Sequence, residues 1–530
     1  MKLARIFRIL CALVILGGMI GFYLSSDYPL PKFLQAIVEE PERAPVEPVA
    51  FDIPEMRSDA PVDMDLEFPE GAIEGELVLH FQNRDDYLAY IAALMESGLS
   101  PLGKIDELLA LRVPEDALLL VDLEQYGART SFSYWVERPL PPVQMDPAAL
   151  AGLRAYGISA RRIVNGAPFG DGSGVTVAIL DSGIEAHPHF EGLHRVSIDL
   201  AGGGVDGPGA AHGTSVASII TGQQGIVPNA ELLVVRVLDD QGFGNSYHLA
   251  DGIIQAVDLG VQVINFSLAA YQDAPLLRQA VQYAADHDVI MVAAAGNEGF
   301  AALPYPAAYE SVLSVTALDA NGLHAGFPNQ SVDIDFAAPG VGISTANEDH
   351  GTTLFSGTSA ATPFVSGTLV SLLSGDAPVE PAAAIKLMKR YLNDAGAPGD
   401  DPVYGAGVVD WDRLREHGEL GIRDIALAGI HLSPEAQPGT TMPVQVTVQN
   451  RGTTWLSGAR LEVVIEGAEP VGFSIGNLAV GETTTRKVFA RIPSLSSEQS
   501  LSLAARVLPV ALNQDVRPEN NYKLVQFRPR

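Results

Sequence analysis

From residue 174 onward the chain alternates between two kinds of apolar segment. VTVAIL (175–180), ELLVVRVL (231–238), VQVINFSL (261–268) and VIMVAAAG (289–296) are short, nearly continuous runs rich in Val and Ile. Between them lie HGTSVASIITG (212–222), SYHLADGIIQAVDLG (246–260) and APLLRQAVQYAADHD (274–288), where apolar positions recur at helical spacing. The continuous runs fit strands buried on both faces. Their alternation with helices predicts an α/β fold with a parallel sheet covered on each side. In open sheets of that kind, reactive groups gather beyond the carboxyl ends of the strands.

The pattern differs on either side of this block. GELVLHF (75–81) predicts a strand, and Asn83 opens a helix with Tyr87, Leu88, Ile91, Leu94 and Met95 on one face. DELLALRVP, DALLLVDLEQYG and RTSFSYWVERP follow as strand, helix and strand, giving a small α+β unit over 73–138. After residue 420 the segments IRDIALAGIHLSP, MPVQVTVQNRG, ARLEVVIEG, TTTRKVFARI, LSLAARVLP and YKLVQFRP are short strands split by turn residues. That spacing predicts an all-β, Ig-like sandwich over 421–530. Repeated Pro and Glu mark 27–72 as an extended linker, and 139–160 joins the α+β unit to the α/β domain at 161–418.

The amino terminus places Lys2, Arg5 and Arg8 before an uncharged apolar stretch, residues 9–24. That is the layout of an export signal over 1–26, or of an uncleaved membrane anchor, since no clear small-residue cleavage site follows. Either one puts the bulk of the chain outside the cytoplasm, whether secreted, periplasmic or anchored. Lys plus Arg total 33 against 64 Asp plus Glu, a formal net charge of −31. Such a balance argues against nucleic-acid partners. The single cysteine, Cys11, lies in the first apolar run, so the domains beyond it contain no disulfide, thiolate metal cluster or cysteine nucleophile.

Three groups suited to hydrolysis occur in order. Asp181 ends a strand in ILDSGI, His212 starts a helix in AHGTSVAS, and Ser359 lies at a helix start in FSGTSAATPFVSG. A serine nucleophile needs a base for its proton, and the imidazole needs a carboxylate to hold its tautomer. Asn297, in AAAGNEG, follows a buried strand, where its amide and the backbone N–H of Ser359 would be the donors for an oxyanion. Pro363 is expected in the first helical turn, where its missing N–H costs nothing. Each motif alone has an ordinary structural reading; the four together require coincidence.

The motifs ILDSGI, HGTSVA, AAAGNEG and GTSAATPFVSG resemble those of subtilisin-like serine proteases (subtilases, peptidase S8 type) over roughly half of the chain, about 160 to 415. The resemblance implies a serine endopeptidase acting through an acyl-enzyme, with Asp181, His212, Asn297 and Ser359 in the catalytic roles and polypeptides as substrates. It implies that Gly242-Phe243-Gly244 and Ser267-Leu268-Ala269 flank the substrate and that Pro304 lies near the specificity-pocket floor. Ser215 and Ser218 stand where the family often has His and Gly, and Ala269 replaces a usual Gly. The chemistry requires no cofactor; a structural calcium is not supported, because the loop TGQQGIVPNA (221–230) is short. By the same resemblance, the unit at 73–138 is a ferredoxin-like propeptide that chaperones and inhibits, the alternative being an accessory domain that stays attached. Its removal is expected beyond PLPP, within 139–160.

The C-terminal segment resembles adhesion-type (CARDB-like) sandwiches, a spacer or a contact to a surface or polysaccharide. An exported adhesion protein with an inert protease-like domain is the alternative reading. His187, His189 and His194 are read as loop residues, since the family often has His-Pro after the catalytic Asp.

Overall fold

The N-terminal unit comprises β1 (Glu76–His80), α1 (Arg84–Glu96), β2 (Gly103–Ile105), β3 (Ala110–Pro114), β4 (Arg129–Ser131) and β5 (Trp135–Glu137). This computed structural model describes residues 67–140, 152–347, 350–375, 377–433, 439–491, 500–510 and 515–527. The export segment, most of the Pro/Glu-rich linker, and 141–151 of the expected processing zone lie outside the described residues. β1 to β4 form an antiparallel sheet in the order β2-β3-β1-β4.

Asn83 caps α1, accepting a hydrogen bond from the Asp86 N–H. The buried face is rotated from the expected one. Tyr87, Tyr90 and Leu94 face inward, while Leu88 and Met95 are exposed. Aromatic packing decides this: Phe81 meets both Tyr87 and Tyr90, and Tyr90 meets Tyr126 edge-on. Large rings gain more from burial than Leu and Met would at those positions. The helix expected over DALLLVDLEQYG is broken into Ala117–Leu120 and a 3-10 turn, Glu124–Tyr126. Val121 adopts an extended backbone between them and is buried.

The central sheet holds β6 (Thr176–Asp181), β7 (Arg195–Asp199), β8 (Glu231–Arg236), β10 (Val263–Phe266), β11 (Ile290–Ala294), β12 (Val312–Leu318) and β13 (Phe336–Pro339). Its order is β13-β12-β11-β10-β6-β8-β7, and every neighbouring pair is parallel. A short strand, β9 (Phe243–Asn245), stands apart from it and pairs with β5. Around the sheet pack α2 (Ala211–Ile220), α3 (Ser246–Asp258), α4 (Pro275–Asp286), α5 (Thr358–Leu373) and α6 (Pro381–Arg390). A hairpin of β14 (Ile343–Ala346) and β15 (Thr352–Phe355) leads into α5.

α5 is buried along nearly its whole length. Pro363 sits in its second turn rather than its first, so Ser359 C=O lacks the N–H it would otherwise receive. Ser267 Oγ supplies that hydrogen bond instead, at 3.2 Å.

The C-terminal domain is two antiparallel sheets: β16 (Ile425–Leu432), β17 (Thr441–Asn450) and β20 (Thr483–Arg491) in one; β18 (Ala459–Ile465), β19 (Val471–Ile475), β21 (Leu501–Pro509) and β22 (Tyr522–Phe527) in the other. Val444, Val446, Val448, Leu461, Val463, Leu503 and Val507 fill the space between them. The domain is fastened to the α/β domain by buried polar contacts. Gln449 donates to Leu392 C=O at 2.9 Å and accepts from Asp394 N–H at 3.1 Å; Arg413 donates to Arg451 C=O at 2.9 Å. Arg517 bridges Glu416 and Asp424. Among the described residues no helix is long and apolar enough to cross a membrane.

Candidate active site

β6 is flanked by β8 on one side and β10 on the other, so the strand order reverses at its carboxyl end. A crevice outside that end is where open α/β sheets bind ligands. Asp181, the last residue of β6, is fully buried there. Its carboxylate accepts from His212 Nδ1, with Oδ1 at 2.9 Å and Oδ2 at 3.0 Å, and from Ser182 N–H at 2.7 Å. With Nδ1–H committed to Asp181, Nε2 is the nitrogen left to take a proton.

His212 is the second residue of α2. The helix approaches the β6 turn closely because the next residue is Gly213; a Cβ there would lie 2.1 Å from Gly183 C=O. Phe355, closing the hairpin before α5, packs edge-on against the imidazole with centroids 5.3 Å apart. Ser215 and Ser218 fasten α2 to β14: Ser215 Oγ donates to Ala346 C=O, and Ser218 Oγ accepts from Ala346 N–H.

Ser359 is the second residue of α5, after Gly357 at φ +137°, a conformation L side chains rarely adopt. At this position the first-turn N–H groups lack intrahelical partners and the helix dipole is positive. The hydroxyl donates to Ser267 C=O at 3.4 Å. Asn297 is oriented by Thr358, whose N–H and Oγ1–H both reach its Oδ1, at 2.9 and 3.0 Å. That leaves Nδ2 to face the cleft, where Leu140 C=O accepts from it. The loop carrying it is clamped by buried Asn329: its Oδ1 accepts from the N–H groups of Glu298 and Phe300, and its Nδ2 donates to Glu298 Oε2.

The two segments expected to flank a substrate enclose the end of the N-terminal unit. β5 pairs with β9, with Val136 opposite Gly244 and Glu137 opposite Phe243. Arg138 N–H donates to Gly242 C=O at 2.9 Å. On the other side Glu137 and Ala269 exchange both backbone hydrogen bonds, at 2.8 and 2.9 Å. Asn297 Nδ2 donates to Leu140 C=O at 3.2 Å. Leu268 is buried beneath this ladder, and buried Pro304 precedes Tyr305, which bridges to Ala270 at the end of the same segment. The sheet of the N-terminal unit rests on α3 and α4: Val78, Ile105 and Ala110 join the core formed with Tyr247, Ile254 and Leu277. Arg112 contacts His248 at 2.8 Å.

Sequence reasoning passed over Thr358, Asn329, Asn265 and Ser366. Thr358 was visible in the tripeptide GTS; the others are linked only by tertiary contacts. Ser366 donates to Asn265 Oδ1, and Asn265 Nδ2 donates to Ser267 Oγ. Two of the histidines after Asp181 are bound to the backbone, His187 Nδ1 accepting from His189 N–H and His189 Nε2 lying 2.9 Å from Thr221 C=O, while His194 lies 3.7 Å from the Glu231 carboxylate. Among the described residues no cluster of three His, Cys, Asp or Glu side chains is placed to hold a metal.

The profile of the subtilase family, Peptidase S8, matches residues 172–407, and that of the CARDB family matches residues 424–523. Subtilisin Savinase of Lederbergia lenta is 34% identical over 252 residues, covering 45% of this chain and 90% of that protein. Alkaline protease of Alkalihalobacillus alcalophilus is 34% identical over the same length, with 63% of that protein covered. The prenylagaramide maturation protease PagA, a solved structure, is 29% identical and covers 49% of this chain and 97% of that one, with a TM-score of 0.43. The chain belongs to the subtilase family. Its α/β domain is a subtilisin-like serine protease domain, followed by a CARDB domain.

Proposed function

We propose that the protein is a serine endopeptidase acting on extended polypeptides outside the cytoplasm. The observation that carries the reading is the buried Asp181–His212 hydrogen bond at a strand-order reversal, beside a cleft where a peptide strand is held on both edges. Ser359 Oγ turns from Ser267 C=O, passes its proton to His212 Nε2 and attacks the substrate carbonyl carbon. Asp181 stabilises the imidazolium. Asn297 Nδ2 and the Ser359 N–H receive the oxyanion. The imidazolium then protonates the leaving nitrogen, and water hydrolyses the acyl-enzyme by the same route reversed. Gly242, Phe243, Gly244, Ser267, Leu268 and Ala269 hold the substrate as an added strand.

The N-terminal unit acts as an inhibitory propeptide. Its β4-β1-β3-β2 order supports a ferredoxin-like plan with a reduced second helix. The C-terminal domain contributes a binding surface directed at a cell surface or polysaccharide. Hydrolysis of unfolded casein, after removal of the N-terminal unit, tests the enzymatic reading. The protein is expected to cut it and Ser359→Ala is expected not to; equal rates in the two would exclude the assignment.

A further inference from the structure

The chain's approach to His212 has almost nothing apolar to hold it. Residues 201–209 read AGGGVDGPG, and Gly207 alone among them is buried. Glycine loses more conformational freedom than any other residue when it is fixed. α2 follows at once, and its N-cap, Ala210, makes no side-chain capping bond to secure the first turn. Even so, the stretch must end in one place for His212 to meet Asp181 at 2.9 Å.

Arg236 supplies the anchor. It ends β8, in register with Asp181 on β6 and with Asp199 on β7. In-register residues of parallel strands share a face of the sheet, so Arg236 and Asp181 stand on the same side. The Arg236 side chain is 1% exposed, and its guanidinium reaches in three directions. Nη1 donates to Gly204 C=O at 2.8 Å, Nη2 donates to Asp240 Oδ1 at 2.6 Å, and Nε lies 3.8 Å from Asp199 Oδ1. A buried charge stripped of its partners is strongly unfavourable, so the loop is held closed on this one.

Both carboxylates pass the constraint to the loop backbone. Asp199 accepts from the N–H groups of Gly202 and Gly204, each at 2.8 Å, and Asp240 Oδ1 accepts from Gly209 N–H at 3.3 Å. The packing is close: a Cβ on Gly207 would lie 2.8 Å from Arg236 Nη1, and one on Gly209 would lie 2.5 Å from Asp240 Cα. Gly207 C=O accepts from Ala210 N–H at 3.0 Å, and Ala210 C=O accepts from Thr214 N–H at 2.9 Å, opening α2. The path from guanidinium to imidazole therefore runs through Asp240, Gly209 and Ala210, with His212 two residues further on. Lysine offers a point charge without the planar fork that spans Gly204 and Asp240.

We propose, resting on the protease reading above, that Arg236 is a positioning residue for the reaction. Its buried guanidinium fixes the glycine loop 201–209 and thereby sets where the His212 imidazole stands between Asp181 and Ser359. A displacement of the imidazole by about 1 Å costs on the order of 10²-fold in rate, even when the altered residue is far from the chemistry.

The test compares the full chain with Arg236→Lys, Arg236→Gln, Asp240→Ala and the double variant Arg236→Gln/Asp240→Ala, each freed of its N-terminal unit as for casein hydrolysis. Titration with a fluorophosphonate counts the reactive sites, so that kcat is expressed per site and loss of folded protein is separated from loss of rate. Arg236→Gln is expected to lower kcat per site about 10²-fold with KM within threefold of the parent. Asp240→Ala should lower it at least tenfold, and the double variant should lie within threefold of Arg236→Gln, because both changes cut one path. Arg236→Lys should recover at least threefold of the Arg236→Gln loss. Variants with fewer reactive sites but the parent's kcat at each site would overturn the proposal, since Arg236 would then serve the fold alone. Should Arg236→Gln yield no folded protein, Asp240→Ala decides, because that carboxylate is 40% exposed; a parental kcat there overturns the proposal. If the parent itself takes no label, the protease reading fails and the proposal goes with it.

Discussion

Ser267 and Ser359 are joined twice: Ser267 Oγ donates to Ser359 C=O at 3.2 Å, and Ser359 Oγ donates to Ser267 C=O at 3.4 Å. The first bond exists because Pro363 cannot donate to Ser359 from the next turn of α5. Ser267 Oγ is in turn held by Asn265, and Asn265 by Ser366, all buried. The segment that follows β10 and the start of α5 are thereby fixed to each other. Ser267→Ala would leave Ser359 C=O buried and unpaired, a loss of about 1–3 kcal/mol. Denaturant unfolding should show that loss with an unchanged slope, together with a fall in kcat larger than the change in KM. A variant as stable and active as the parent would show that the bond is incidental.

Asn297→Ala removes the side-chain donor but leaves the Ser359 N–H in place. On protein freed of its N-terminal unit, kcat should fall about 10²- to 10³-fold with KM little changed. A rise in KM alone would mean that Asn297 binds substrate rather than the oxyanion.

Acid should loosen the N-terminal unit. Burial pushes the imidazole of His80 down to about 4 from an ordinary 6.5, opposed by a hydrogen bond with Gln279 on α4. His248 is also pushed down to about 4, by burial and the Arg112 guanidinium, opposed by Asp199. Both groups bind a proton more readily once the contact opens. Docking is therefore at full strength above about pH 6.5 and weakens as the pH falls towards 4. Affinity of the separated unit for the α/β domain should drop roughly tenfold or more per histidine between pH 6.5 and 5. His80→Asn combined with His248→Gln should flatten that profile; an unchanged slope would place the titration elsewhere.

The C-terminal domain should behave as part of the catalytic body. Gln449→Ala leaves Leu392 C=O and Asp394 N–H without their side-chain partner, at a cost of about 1–3 kcal/mol. Urea unfolding followed by proteolytic activity should show the α/β domain shifting with it. An unaltered activity transition would make the sandwich an independent appendage.

The four strands around Asp181, His212 and Asn297 were legible because fully buried strands read as continuous apolar runs. β7, β12 and β13 were not read as strands; β7, at the sheet edge, is mostly exposed, and β13, FAAP, is too short to produce such a run. Asp181, His212, Asn297 and Ser359 stood in motifs, where residue type and local structure coincide. Asn329 and Asn265 act across the fold, on Glu298 31 positions away and on Ser366 101 positions away, and no local pattern marks them. The α1 face was misjudged because periodicity alone does not weigh Tyr90 against Leu88. The placement of Pro363 depended on the helix starting at Thr358, a boundary that local sequence leaves uncertain by a turn.

The most direct test is to identify the residue modified by a fluorophosphonate in protein freed of residues 67–140. Peptide mass mapping should place one adduct on Ser359, with His212→Ala cutting the labelling rate at least a hundredfold. An adduct on any other residue, or a folded protein that takes no label, would contradict the convergence of Asp181, His212 and Ser359 on one reaction.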